Sequence, residues 1–184
     1  MILPVVAYGS PVLRKVATDI DKNYEGLPQL IENMWETMYK ADGVGLAAPQ
    51  VGLPIRIFVI DTASMEDKDE SLKTFKKVFI NAHIVEEDGE PWAFNEGCLS
   101  LPGIREDVKR KSKIRIKYVD ENFNVLDEVY DGIKARVIQH EYDHIEGVVF
   151  TDRLTPLKRR ILKSKLSNIA KGKVDIGYKM KFPL

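Results

Sequence analysis

Residues 132–147, GIKARVIQHEYDHIEG, follow an Asp131 suited to capping a helix and close on Gly147, which can end it in the left-handed conformation. Inside that helix His140-Glu141-Tyr142-Asp143-His144 is H-E-x-x-H. The two histidines fall one turn apart on the same face, so both imidazoles reach one divalent ion. Glu141, one residue on from the first of them, can touch a water activated by that ion without being forced to ligate. That makes it the natural general base.

Two histidines do not complete a catalytic metal site, which usually has three protein ligands and one open position. Phe150 stands where a metzincin would carry its third histidine, and residues 158–171 hold no acid to act as a downstream glutamate ligand. His83 lies inside a strand-like run and reads as structural or surface. Cys98 is the better candidate. It sits in Glu96-Gly97-Cys98-Leu99-Ser100-Leu101-Pro102-Gly103, where Gly and Pro mark a sharp turn that brings a thiolate and a backbone N–H to one point. A lone cysteine is most often a small buried hydrophobe. Here the missing ligand favours coordination, and a bound ion keeps such a thiol deprotonated.

Outward from this centre, residues 25–40 place Leu27, Leu30, Ile31, Met34, Trp35 and Met38 on one helical face, ending at Ala41-Asp42-Gly43. The loop GVGLAAPQVG (43–52) leads into PIRIFVID (54–61), a buried strand. Residues 62–77, polar and without periodicity, read as an exposed, solvated excursion. VFINAHIV (78–85) reads as a strand, and KSKIRIKYV and NVLDEVY form a hairpin around DENF (120–123). A third helix starts at Thr155-Pro156 and runs through residues 157–173. The expected fold is α+β, with antiparallel or mixed sheets around a central metal-binding helix, flanked by an N-terminal and a C-terminal helix. Without repeat or linker, residues 1–184 read as a single catalytic domain.

Gly43-Val44-Gly45-Leu46-Ala47-Ala48 superficially resembles a dinucleotide fingerprint, but it follows a helix, and Pro49 and Gly52 leave no room for the helix that fingerprint needs. Its small residues suit a narrow wall along which a peptide backbone can lie. Gln50 ends the wall; its amide can hydrogen-bond the loop or, beside a metal, polarise a carbonyl.

The 28 Lys and Arg balance 28 Asp and Glu, so no overall field draws the chain to DNA or to a membrane. No run approaches the ~18 to 20 apolar residues that span a bilayer. The opening MILPVVAYGS has no preceding basic residue, is broken by Pro4, and reads as mature sequence. One cysteine excludes an intrachain disulfide and suits a reducing compartment, hence a cytoplasmic location.

GVGLAAPQ, EGCLSLPG and QHEYDH, in this order and spacing, together with SPVLRKVA (10–17), resemble the peptide deformylases. The resemblance implies hydrolytic removal of the formyl group from N-formylmethionine on newly made polypeptides, with release of formate. An ion-activated water attacks the formyl carbon, and Glu141 takes the proton and returns it to the leaving amine. Matched residue by residue, it implies Cys98, His140 and His144 as metal ligands, and Gln50 with the Leu99 N–H as oxyanion donors. Gly45 lies in the loop that pairs with the substrate backbone. The implied ion is iron(II), with zinc, nickel or cobalt able to replace it. Asp143 is expected to pair with Arg110 rather than ligate. Positions beside the motifs assign the methionine pocket to Val44, Phe94, Ile133, Val137 and the apolar part of Arg136, with Arg105 near the substrate path. The basic residues of 158–173 are connected by family precedent with docking on ribosomal RNA near the peptide exit, against the alternative of a solvated helix face. The excursion at 62–77 is longer than in compact members, and the tail VDIGYKMKFPL carries no readable signal. A zinc endopeptidase would share the motif but lacks its further ligand. A structural clip or redox sensor would offer three ligands where structural zinc normally has four, and would leave Glu141 without a purpose.

Overall fold

A computed structural model describes residues 1–183. In chain order the elements are β1 (Val5–Val6), α1 (Leu27–Lys40), β2 (Gly45–Ala47), β3 (Ile57–Asp61), β4 (Lys76–Asp88), β5 (Trp92–Cys98) and β6 (Leu101–Arg110). They continue with β7 (Lys113–Val119), β8 (Val125–Asp131), α2 (Gly132–Ile145), α3 (Pro156–Ala170) and β9 (Met180–Lys181). Five strands form an antiparallel sheet in the order β2-β3-β4-β7-β8, β5 and β6 form an antiparallel hairpin, and β1 pairs β9 in parallel. The fold is α+β with three α-helices, as expected.

The alternation of β3 explains the layering. Ile57 and Val59 pack with Leu27, Ile31, Met34 and Met38 of α1. Phe58 and Ile60, on the opposite face, pack with Phe79, Ile114 and Ile116 and with Ala135, Ile138 and Ile145 of α2. A strand buried on both faces carries a continuous apolar run, which is why PIRIFVID was readable. A third apolar cluster joins Leu101, Ile104 and Val108 of β6 to Phe150 and to Leu162, Leu166 and Ile169 of α3.

Three expectations are corrected. Asp131 stands at the N-cap position of α2 but does not cap it with its side chain, which makes no capping hydrogen bond; its backbone ends β8, paired with Lys113. The helix ends as expected, since Gly147 has φ +74°, and a Cβ there would lie 2.7 Å from the Arg14 carbonyl oxygen. Residues 62–77 are not a plain solvated loop. Two 3-10 turns, Ala63–Met65 and Glu70–Thr74, bury Thr62, Leu72 and Phe75, and the Thr62 hydroxyl donates to the Leu72 carbonyl at 2.7 Å. Turns this short leave no period to read. Finally, the sharp turn expected within residues 96–103 is present at Leu99–Ser100, but Pro102 and Gly103, which were to mark it, lie beyond it in the ten-residue strand β6. Among the described residues no helix is long and apolar enough to cross a membrane.

Candidate metal centre

α2 is buried around most of its circumference, including Arg136, Gln139, Glu141, Asp143 and His144. Polar groups taken out of water need partners or a task. β5 brings Cys98 to them: a register shift between Gly97 and Cys98 breaks the regular hairpin pairing where the cysteine meets the helix. One ligand atom each from Cys98, His140 and His144 then lie within 4.8 Å of one another. Cys98 Sγ is 3.3 Å from His144 Nε2. Ligands about 2.0 to 2.3 Å from a tetrahedral ion stand roughly 3.5 Å apart, so one sulfur and two nitrogens so placed fit a divalent ion.

Glu96 orients this set. Its Oε1 is 2.8 Å from His140 Nδ1, which leaves Nε2 as the free ring nitrogen of that histidine. The same carboxylate accepts from Arg110 Nε and Nη2 at 2.8 and 2.9 Å and from Arg136 Nη1 at 2.9 Å. Burial opposes its charge, yet hydrogen bonds from His140 and Arg110 prevail and hold its carboxyl well below the usual carboxylate range. Arg110 also donates to Asp143 at 2.8 Å, the expected pair, and Arg153 grips Asp143 with bonds of 2.7 and 2.6 Å. Glu96 was not singled out from sequence. The usable signal was its position two residues before Cys98 on one strand, which puts both side chains on the same face, joined to the rule that a ligating histidine has a partner for its other nitrogen.

Glu141 is buried, and its Oε2 has no hydrogen-bond partner among the described residues. Burial first, then the Glu96 and Asp143 charges, push its carboxyl up to about 7, against the pull of His140 and Arg110. Gly45 lies directly against it, since a Cβ there would be 2.5 Å from Glu141 Oε1. Gln50 is held by its Oε1, which accepts from the Ala47 N–H at 3.0 Å. Its Nε2 points the other way, to Ser100 Oγ at 3.2 Å and Cys98 Sγ at 3.5 Å. The loop bond read from the sequence is present at one end of the amide, and the other end faces Ser100 and Cys98.

A cavity of about 520 Å³ opens over these groups. Val44, Gly45, Gln50, Phe94, Cys98, Leu99, Arg105, Arg136, Val137, His140 and Glu141 all line it. Ile133 does not; it packs against the core between α2 and the five-stranded sheet. Arg136 stacks its guanidinium 4.9 Å from the centre of the Trp92 ring, so it is both wall and support for Glu96. Arg105 donates to Asn95 Oδ1 at 2.8 Å. His83 lies outside the site, exposed, 3.3 Å from Asp19. Met65 and residues Asp175–Tyr178 also line the cavity, which neither the charged excursion nor the uninterpreted tail announced.

Residues 2–160 match the family described as polypeptide deformylase. A peptide deformylase of Christiangramia forsetii is 60% identical over the whole of this chain and 97% of its own length. The crystal structure of the Thermotoga maritima peptide deformylase superposes with a TM-score of 0.76 at 41% identity, over 85% of this chain and 99% of that one. That of the Thermus thermophilus enzyme gives 0.82 at 38% identity, over 94% and 99%. A sequence match over most of the length, a matching fold, and one sulfur and two imidazoles converging in this chain mean that it belongs to the polypeptide deformylase family, metal-dependent hydrolases that remove the N-formyl group from nascent polypeptides.

Proposed function

We propose that this chain works as one cytoplasmic catalytic domain in which Glu141 carries the proton of deformylation. The observation behind this is the unpartnered Oε2 of a buried carboxylate held near neutrality beside three converging ligand atoms. Cys98, His140 and His144 would hold the ion; iron(II) is proposed as native, and the same donors accept zinc, nickel or cobalt. Bound there, the ion supplies Lewis acidity, making water nucleophilic near neutral pH and polarising the formyl carbonyl. Glu141 takes a proton from the attacking water and delivers it to the leaving amine, which becomes the free N-terminus. Gln50 Nε2 and the Leu99 N–H receive the developing negative charge, and loss of one such donor costs roughly 3 kcal/mol.

Among the described residues β2 is an edge strand, paired on one side with β3 only, so a peptide can lie along its other side beside Gly45. The methionine side chain would rest on Val44, Phe94, Val137 and the stem of Arg136, with Ile133 behind, one turn before Val137, and Arg105 further along the path. The solvent-facing lysines and arginines of α3 would contact ribosomal RNA, a contact that weakens steeply with salt. The test of the enzymatic reading is formate release from formyl-Met-Ala-Ser by protein purified without oxygen, its metal quantified. Turnover proportional to bound metal supports it; none from protein carrying a full equivalent of ion contradicts it.

A further inference from the structure

The chain does not end at α3. After Gly172, whose φ of +69° turns the backbone, residues 174–178 return to the mouth of the cavity, and β9 then pairs with β1. The Val5 N–H donates to the Lys179 carbonyl and the Ala7 N–H to the Lys181 carbonyl, both at 2.9 Å. The tail is thereby tied to the N-terminal segment on one side of the site. Both segments reach the turn between Cys98 and Leu101. The Tyr178 hydroxyl donates to the Leu99 carbonyl at 2.7 Å, and the Tyr8 N–H donates to the Ser100 carbonyl at 2.9 Å. Gln50 Nε2 holds the Ser100 hydroxyl at 3.2 Å. Tyr178 itself is half-buried and lines the cavity.

This turn carries two groups whose direction matters. Cys98 presents the thiolate, and the next peptide presents the Leu99 N–H. The Leu99 N–H lies in the Cys98–Leu99 peptide plane, whose tilt is set by rotation about the bonds on either side of it; an ion would anchor that plane through Cys98 on one side, and the Tyr178 bond to the Leu99 carbonyl restrains it from the other. Donors that stabilise an oxyanion work because they are already aimed before the charge develops.

We propose that Tyr178 is a positioning residue for deformylation: by holding the Leu99 carbonyl it aims the Leu99 N–H at the formyl oxygen, which makes the segment 174–178 part of the catalytic apparatus. The inference rests on the reading of Leu99 as an oxyanion donor and goes beyond it, to a residue outside the family match of residues 2–160. The ring of Tyr178 contributes wall; the hydroxyl contributes alignment. Tyr178→Phe separates the two.

The experiment compares wild-type and Y178F holoenzyme on formyl-Met-Ala-Ser, with metal content, thermal midpoint and hydrogen exchange of residues 98–101 measured on the same preparations. The expected result is a kcat lower by roughly tenfold with KM within about twofold, metal content and midpoint unchanged, and exchange across 98–101 faster by roughly fivefold. Unchanged kcat and exchange would overturn the proposal, as would a kcat loss that merely tracks lost metal or lost stability. A wild-type enzyme that releases no formate would remove the deformylase reading as well, an outcome read before any variant is compared and so distinct from failure of the Tyr178 role alone.

Discussion

Glu96 Oε1 stands 2.8 Å from Nδ1 of His140, and the same buried carboxylate takes three further bonds from Arg110 and Arg136. Between α2 and the hairpin this makes a chain of charges, Arg153–Asp143–Arg110–Glu96–Arg136, that is tied to a metal ligand through Glu96. The orientation of the site is therefore inseparable from the packing of the helix on the hairpin.

Glu96→Gln keeps the volume and removes the charge. It should weaken metal affinity by about 10- to 100-fold, as loss of a ligand's carboxylate partner does, and lower stability by about 3 to 5 kcal/mol because buried guanidiniums lose their counter-charge. Chelator competition measures the first and denaturant unfolding the second. The pH dependence has a definite sign. Glu96 titrates below its ordinary 4.5 in the folded protein, so its contribution is present above pH 4.5 and fades as pH falls below it. The stability gap between wild type and E96Q should shrink on acidification and be flat at neutral pH.

Gly45→Ala should cost activity far more than stability. The added methyl would lie 2.5 Å from Glu141 Oε1, and displacing the carboxylate by about 1 Å predicts a loss of roughly a hundredfold in kcat. Strain of about 1 to 3 kcal/mol would accompany it. Steady-state kinetics on protein with its metal content matched to wild type checks this; activity within twofold of wild type would show that the close approach is not needed.

The metal-free protein should pay for holding Glu141 buried. Its carboxyl is raised to about 7 from an ordinary 4.5, so stability is fully present below pH 4.5, is lost between 4.5 and about 7, and stays level above. Metal-free Glu141→Gln, which does not titrate, should be the more stable of the two at pH 8, by a few kcal/mol, with the difference gone near pH 4. Thermal unfolding across that range measures it. No pH dependence in the difference would mean that Glu141 is not held in the environment described.

These cases also mark what was readable in the chain. H-E-x-x-H spacing put His140 and His144 on one helix face because helical period is a local property, and the failure of Phe150 and of residues 158–171 to supply a ligand left Cys98. The faces of α1 and β3 were legible for the same local reason. Glu96 was not, because its task is defined by Arg110, Arg136 and His140, which lie 14 to 44 residues away. Tyr178 meets Leu99 across 79 residues, in a tail with neither helical nor strand period. Leu72 and Phe75 were masked by the charges around them, and Asp131 looked like a cap although β-pairing with Lys113 claims its backbone first. Ile133 sits one turn before Val137 and packs in the same apolar cluster, but only Val137 also lines the cavity, a distinction that the packing of α2 makes.

The most direct measurement is turnover and bound metal in Glu141→Ala, determined on one preparation. The account predicts a full equivalent of ion, since Cys98, His140 and His144 are untouched, with kcat on formyl-Met-Ala-Ser reduced by about 100-fold or more. Turnover close to wild type with the ion in place would contradict it, because the proton would then be moving through some other group.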